Sequence, residues 1–109
     1  MPDEYARAQI ITQLLKEVKH KLTDKDIAKV ARSLENYSAS DITNLVKEAA
    51  FEPFREYSDE ELRGLSKYDI RAVQGKDFES AKRTVLPSVT NKDIMMYIEW
   101  ENKLGKTNL

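Results

Sequence analysis

The side chains of this sequence that could carry chemistry are few and scattered. His20, the single histidine among 109 residues, lies at a Lys-rich helix end. An imidazole that acts as a general base or a metal ligand needs partners at suitable spacing, and none flank it, so His20 reads as an exposed residue. Asp59, Glu60 and Glu61 could together attract a cation, but clustered acids at a helix start more often complement the helix dipole. No Ser or Thr combines with His and a carboxylate in a nucleophile motif. There is no G-x-x-x-x-G-K-[ST] loop to cradle phosphates, and no apolar run ends in paired acids that would hold Mg²⁺. The chain is therefore expected to carry neither catalytic nor metal-ligating residues of its own.

Composition narrows the class of partner. Eighteen basic and 19 acidic residues leave a net charge of −1, so no global field draws the chain to nucleic acid or to anionic lipid. The hydrophobic share of 40% and the charged share of 34% suit one globular domain with a charged exterior, extending over residues 1–109. Cysteine is absent, which removes disulfide and thiolate chemistry and fits a reducing compartment. No apolar stretch is long enough to cross a membrane.

The elements that must position any site are helices. Apolar residues recur at helical spacing nearly everywhere, and strand-like alternation is almost missing. The spacing predicts a first helix over 3–19, with Ile11, Leu14, Leu15 and Val18 on one stripe. Thr23 with Asp26 opens a second, whose buried face is Ile27, Val30, Ala31 and Leu34. Ser38 with Asp41 opens a third, carrying Ile42, Leu45, Val46 and Ala49, which Pro53 should end or kink. Ser58 with Glu61 forms the cleanest capping box, but its helix is short and stops at Gly64. The stretch 68–75 lacks a helical stripe and reads as extended. A helix follows over 77–85, with Phe78, Ala81 and Val85 inward, and Pro87 stops it. Thr90 and Asp93 start a last helix, within about 88–105, which ends at Leu104 with Gly105 beyond it. Tyr97, Trp100 and Leu104 share one stripe there, with Ile94 and Ile98 beside it towards the core. The expected fold is all-α: a small bundle of four main helices and a shorter one, a C-terminal helix and one irregular extended connection.

Several segments, taken in order, resemble a known family. Pro2-Asp3-Glu4 with Arg7 resembles the "L-P-[DEN]-x-x-x-R" by which the chain of a AAA ATPase enters its helical small subdomain. Met1 stands where that family has Leu, which implies a start at the subdomain boundary. Asn36-Tyr37-Ser38-Ala39-Ser40-Asp41-Ile42 is similar to "G-[YF]-S-G-[AS]-D-[IL]", and Ala49-Ala50 with Pro53-Phe54-Arg55 to "A-A-x-x-P-[IM]-R". Asp77-Phe78 with Ala81 looks like "D-F-x-x-A". Pro87-Ser88-Val89 through Tyr97, Trp100 and Leu104-Gly105 resembles the family's closing motif. The branch that shares all of these is the meiotic clade: spastin, katanin and fidgetin, and the AAA protein that disassembles ESCRT-III filaments. The last carries a β-domain insertion before its C-terminal helices. Only about twenty residues separate Arg55 from Asp77, too few for a small sheet domain, so the severing branch is favoured.

The resemblance implies a lid of an ATP-hydrolysing, Mg-dependent motor that works as a homohexamer. Its partners would be its own large AAA subdomain and the neighbouring protomers, with tubulin as the substrate of the parent motor. It implies a cytoplasmic, cytoskeleton-associated setting, with the nucleus as an alternative. Ala39 and Ser40 would wall the adenine, and Arg55, Tyr97, Trp100 and Leu104 would meet the large subdomain or the next protomer. Each has a plainer reading: an ordinary helix start for Ala39 and Ser40, a local carboxylate pair for Arg55, core packing for the aromatics. The family's two glycines are Asn36 and Ala39 here. Asn supplies a positive φ at little cost, so Asn36 can keep the turn, whereas Ala39 adds a methyl near the base. The rival from another class is a free-standing helical interaction module whose grooves bind a partner helix.

Overall fold

The computed structural model describes residues 1–66, 69–88, 96 and 98–103. Helix α1, Glu4–Leu15, starts where the Asp3 carboxylate accepts a hydrogen bond from the Ala6 N–H at 2.8 Å. It stops short of the predicted Lys19. The Val18 N–H turns back on the Leu15 carbonyl at 3.0 Å, and the chain then extends so that His20 forms a parallel bridge with Val73. The Lys19 carbonyl accepts from Val73 N–H and the Val73 carbonyl from Lys21 N–H, both at 2.9 Å. His20 is thus half-buried and structural, not merely exposed; its Nδ1 accepts the Leu22 N–H at 3.0 Å.

Helix α2, Asp24–Arg32, opens on the expected capping box, with Asp26 N–H bonded to Thr23 Oγ1 at 3.1 Å and Thr23 N–H to Asp26 Oδ2 at 2.9 Å. Helix α3, Ala39–Phe51, is central and packs against both α1 and helix α5, Gly75–Lys82. Pro53, which has no N–H to donate, does what its chemistry requires: the helix tightens into a 3-10 turn over Glu52–Glu56. Helix α4, Asp59–Gly64, buries nothing, so its capping box at Ser58 and Glu61 is its main local support. Helix α5 begins at Gly75, ahead of the predicted Asp77, because Asp77 is its third residue and reaches back to accept the Gln74 N–H at 2.8 Å.

The core joins Ile11 and Leu15 of α1, Ile27, Val30 and Ala31 of α2, Ile42, Leu45, Val46 and Ala49 of α3, and Phe78 and Ala81 of α5. Phe78, Ile42 and Leu45 are wholly shielded, each burial contributing about 1.5–3 kcal/mol. The architecture is the small all-α bundle the apolar spacing predicts, and no strand occurs among the described residues. Residues 98–103 are helical, with Ile98 51% exposed, so that side chain does not reach the core as expected. Thr90, Asp93, Ile94, Tyr97, Leu104 and Gly105 lie outside the described residues.

Candidate functional site

The turn before α3 gathers the residues of the glycine-containing motif. Asn36 takes φ 73, the one positive φ at a non-Gly residue among those described. That left-handed conformation is one Asn tolerates well, and it turns the chain from α2 into the cap of α3. Ser38 is the N-cap, its hydroxyl accepting the Asp41 N–H at 3.0 Å. Ala39 and Ser40 form the first turn and are both exposed, so their small side chains leave an open surface at the helix start.

Asp41 is buried beneath that surface. Its Oδ2 accepts the N–H of Ser38 and that of Ser88, both at 2.9 Å, and its Oδ1 accepts the Ser88 hydroxyl. Burial alone would raise the carboxyl, but the bonds from Ser88 and Ser38 outweigh it and hold Asp41 down at about 2. Tyr37, buried next to it, donates its hydroxyl to the Val85 carbonyl at 2.6 Å. Burial and the Asp41 charge both push the Tyr37 phenol up.

Arg55 lies elsewhere. It follows the far end of α3, a helix of 13 residues and so about 20 Å long, and does not meet Ala39 or Ser40. It pairs with Glu48 and with Glu52, the latter at 3.3 Å, with its side chain 56% exposed. Trp100 is 58% exposed. Tyr97 and Leu104, its expected companions, fall outside the described residues.

Three buried polar contacts escaped sequence reasoning. Arg71 makes a two-pronged pair with Asp77, both bonds 2.8 Å, and also reaches Glu56 at 2.8 Å. Burial would raise Asp77, yet the Arg71 guanidinium and the Gln74 N–H hold it below the usual carboxylate range, while Asp77 and Glu56 hold Arg71 more firmly protonated. Arg7, also buried, donates from Nε to the Ala31 carbonyl at 2.8 Å, near the negative end of α2, and from Nη1 to the Pro2 carbonyl at 3.0 Å. The Asp41–Ser88 contact is the third. Its only sequence signal was the capping box, which accounts for one side of the carboxylate. No cluster of three or more metal-ligating side chains occurs among the described residues, and no described helix is long and apolar enough to cross a membrane.

The profile of the AAA+ lid domain family matches residues 24–80, and that of the Vps4 C terminal oligomerisation domain matches residues 65–105. The chain is 37% identical over 105 residues to fidgetin-like protein 1 of Caenorhabditis briggsae, covering 96% of this chain and 18% of that protein. It is 32% identical over 109 residues to spastin of Homo sapiens, covering 100% of this chain and 18% of spastin. The chain thus spans less than a fifth of the length of these curated relatives. In three dimensions it is similar to the crystal structure of the FIGL-1 AAA domain in complex with ADP. The TM-score is 0.80 at 32% identity, over 94% of this chain and 35% of that one. A structure that describes katanin self-assembly aligns with TM-score 0.68 at 27% identity, over 92% of this chain and 37% of that one. The bundle therefore matches about a third of a AAA domain of known structure. The chain belongs to the AAA+ lid domain family, and its relatives are those of the meiotic clade.

Proposed function

We propose that this chain is the lid of a AAA ATPase motor of the microtubule-severing kind, closing over nucleotide held by a large AAA subdomain and passing its state to the next protomer of a homohexamer. The observation that carries this reading is the helix start at Ala39 and Ser40: small, exposed side chains on a turn capped by Ser38 and Asp41, in a bundle that superposes on an ADP-bound AAA domain. A flat base fits against such a surface, so the residues present suit the adenine end of ATP. The phosphate-binding groups and the Mg²⁺ site would belong to the large subdomain, which also supplies the hydrolytic chemistry. What this chain contributes is a surface and a lever, moving as one body on its packed core.

Trp100, exposed on the helical stretch 98–103, suits contact with the large subdomain or a neighbouring protomer, and the oligomerisation-domain match over 65–105 supports that use. Arg55 is committed to Glu48 and Glu52, which favours a local bracing role for it. The similarity to spastin supports tubulin as the substrate of the parent motor and a cytoplasmic, cytoskeletal setting for it.

The test joins the chain to the large AAA subdomain of a fidgetin-like relative and titrates fluorescent ADP. Ala39→Phe should weaken binding about tenfold, a loss of about 1.4 kcal/mol, and Ala39→Gly should leave it equal or tighter. Equal affinity for all three proteins would remove the adenine from this surface.

A further inference from the structure

Two family-like segments that lie far apart in the sequence meet at one carboxylate. Asp41 closes the motif at the start of α3, and Ser88 belongs to the closing motif that leads into the C-terminal part of the chain. The carboxylate divides between them. Oδ2 takes one N–H from the cap of α3 and one from Ser88, and Oδ1 takes the Ser88 hydroxyl. A few residues away, the Tyr37 hydroxyl binds the Val85 carbonyl, so the turn before α3 grips the 85–88 segment at two points. Asp41 is 7% exposed and Tyr37 5%, so the α3 side of the clasp is buried, while Ser88 on the other side is exposed.

An ordinary capping acid serves its own helix, with its second oxygen turned to solvent. Asp41 instead spends that oxygen on a residue 47 positions away. We infer that Asp41 is a positioning residue that couples the Ala39–Ser40 surface to the 85–88 segment, so that a shift of one end of this clasp displaces the other. The inference rests on the lid reading for its functional meaning, though the mechanical coupling can be tested without it. In that reading, the clasp links the surface facing nucleotide to the region matched by the oligomerisation-domain profile. Two discrete arrangements of such a link are how a small shift at one site reaches another.

The experiment compares amide hydrogen exchange in the 109-residue chain and in its Ser88→Ala and Ser88→Thr forms. Loss of the Ser88 hydroxyl frees Oδ1 and leaves the Ser88 N–H on Oδ2 as the one remaining bond from that residue, so the carboxylate is held less firmly on the cap. Protection of the Ser38 amide should fall about fivefold in Ser88→Ala, the change expected from one hydrogen bond of about 1 kcal/mol. Ile11 and Phe78, in the core, should keep their protection, and Ser88→Thr, which retains a hydroxyl, should restore that of Ser38. Unchanged Ser38 exchange in Ser88→Ala, with loosening confined to residues after Val85, would overturn the coupling. Tyr37→Phe, which removes the second grip alone, serves should Ser88→Ala fail to fold, and the same loss at Ser38 is expected. Joined to a large AAA subdomain, Ser88→Ala should also weaken ADP binding, by up to the same factor. Altered Ser38 exchange with unaltered ADP affinity would leave the clasp standing and overturn the lid reading of its purpose.

Discussion

Asp41 and Asp77 hold the same position in two helices, the third residue, and do the same local task. Each accepts the N–H of the residue before its helix, at 2.9 Å from Ser38 and 2.8 Å from Gln74. Both are buried and both are held below the usual carboxylate range. They differ in what neutralises them. Asp77 faces a guanidinium that grips it with two parallel bonds, whereas Asp41 is surrounded by neutral N–H and O–H donors. A charge pair fixes one element rigidly against another, and its loss leaves an uncompensated buried charge. A charge held by neutral donors is easier to loosen. The bundle thus has a stiff joint at α5 and a gentler one at α3.

The largest expected effect breaks the stiff joint. Arg71→Ala strips the partner from Asp77 and should cost about 3–5 kcal/mol in denaturant unfolding at neutral pH. A cost below about 1 kcal/mol would mean that Asp77 relies on its backbone donor, like Asp41, and the contrast would vanish.

Acid titration sharpens the comparison next. Because the folded-state values of both acids lie below their unfolded ones, their stabilisation is complete above the unfolded value, 3.8, and is lost as pH falls towards the folded values, about 2 for Asp41. Stability should therefore be level above roughly pH 5 and decline as pH drops towards 2. Asp41→Asn should be weaker at neutral pH and should lose part of that slope. An identical slope in the variant would remove Asp41 from the acid response.

The smallest effects concern exposed groups. Arg55→Ala and Trp100→Ala should each change the stability of the chain by less than about 1 kcal/mol, because the Arg55 pairs are solvated and Trp100 lies open. Acrylamide should quench the Trp100 fluorescence readily. A shielded indole, with several kcal/mol lost on substitution, would return that residue to the core.

Helices α2, α3 and α4 were legible in the sequence because each begins with a short-range device: Thr23 with Asp26, Ser38 with Asp41, Ser58 with Glu61. The turn at Asn36 was legible too, since a motif that uses Gly there calls for a residue tolerant of positive φ. Ends were less legible. Helix α1 stops at Leu15 because Lys19 and Lys21 bond to Val73, a partner no local spacing can reveal. Helix α5 starts at Gly75, a poor helix former, because the cap at Asp77 outweighs propensity. Of the candidate site residues, Ala39 and Ser40 are exposed at the start of α3, whereas Arg55 is occupied by neighbours that share its own helix end. Asp41 was visible only as a cap. Its tie to Ser88 depends on how α3 and the 85–88 segment cross, which is a property of the packed core.

The single pairing of His20 with Val73 has a consequence for the order in which the chain assembles. It closes a stretch that holds α2, α3 and α4, and a pair of backbone bonds is too weak to offset the entropy of so long a closure unaided. The bridge is therefore a poor seed for the fold and depends on the packing of the helices around it. Once latched, it ties the segment after α1 to the segment before α5, so α1 and α5 are joined through backbone bonds as well as through their shared packing on α3.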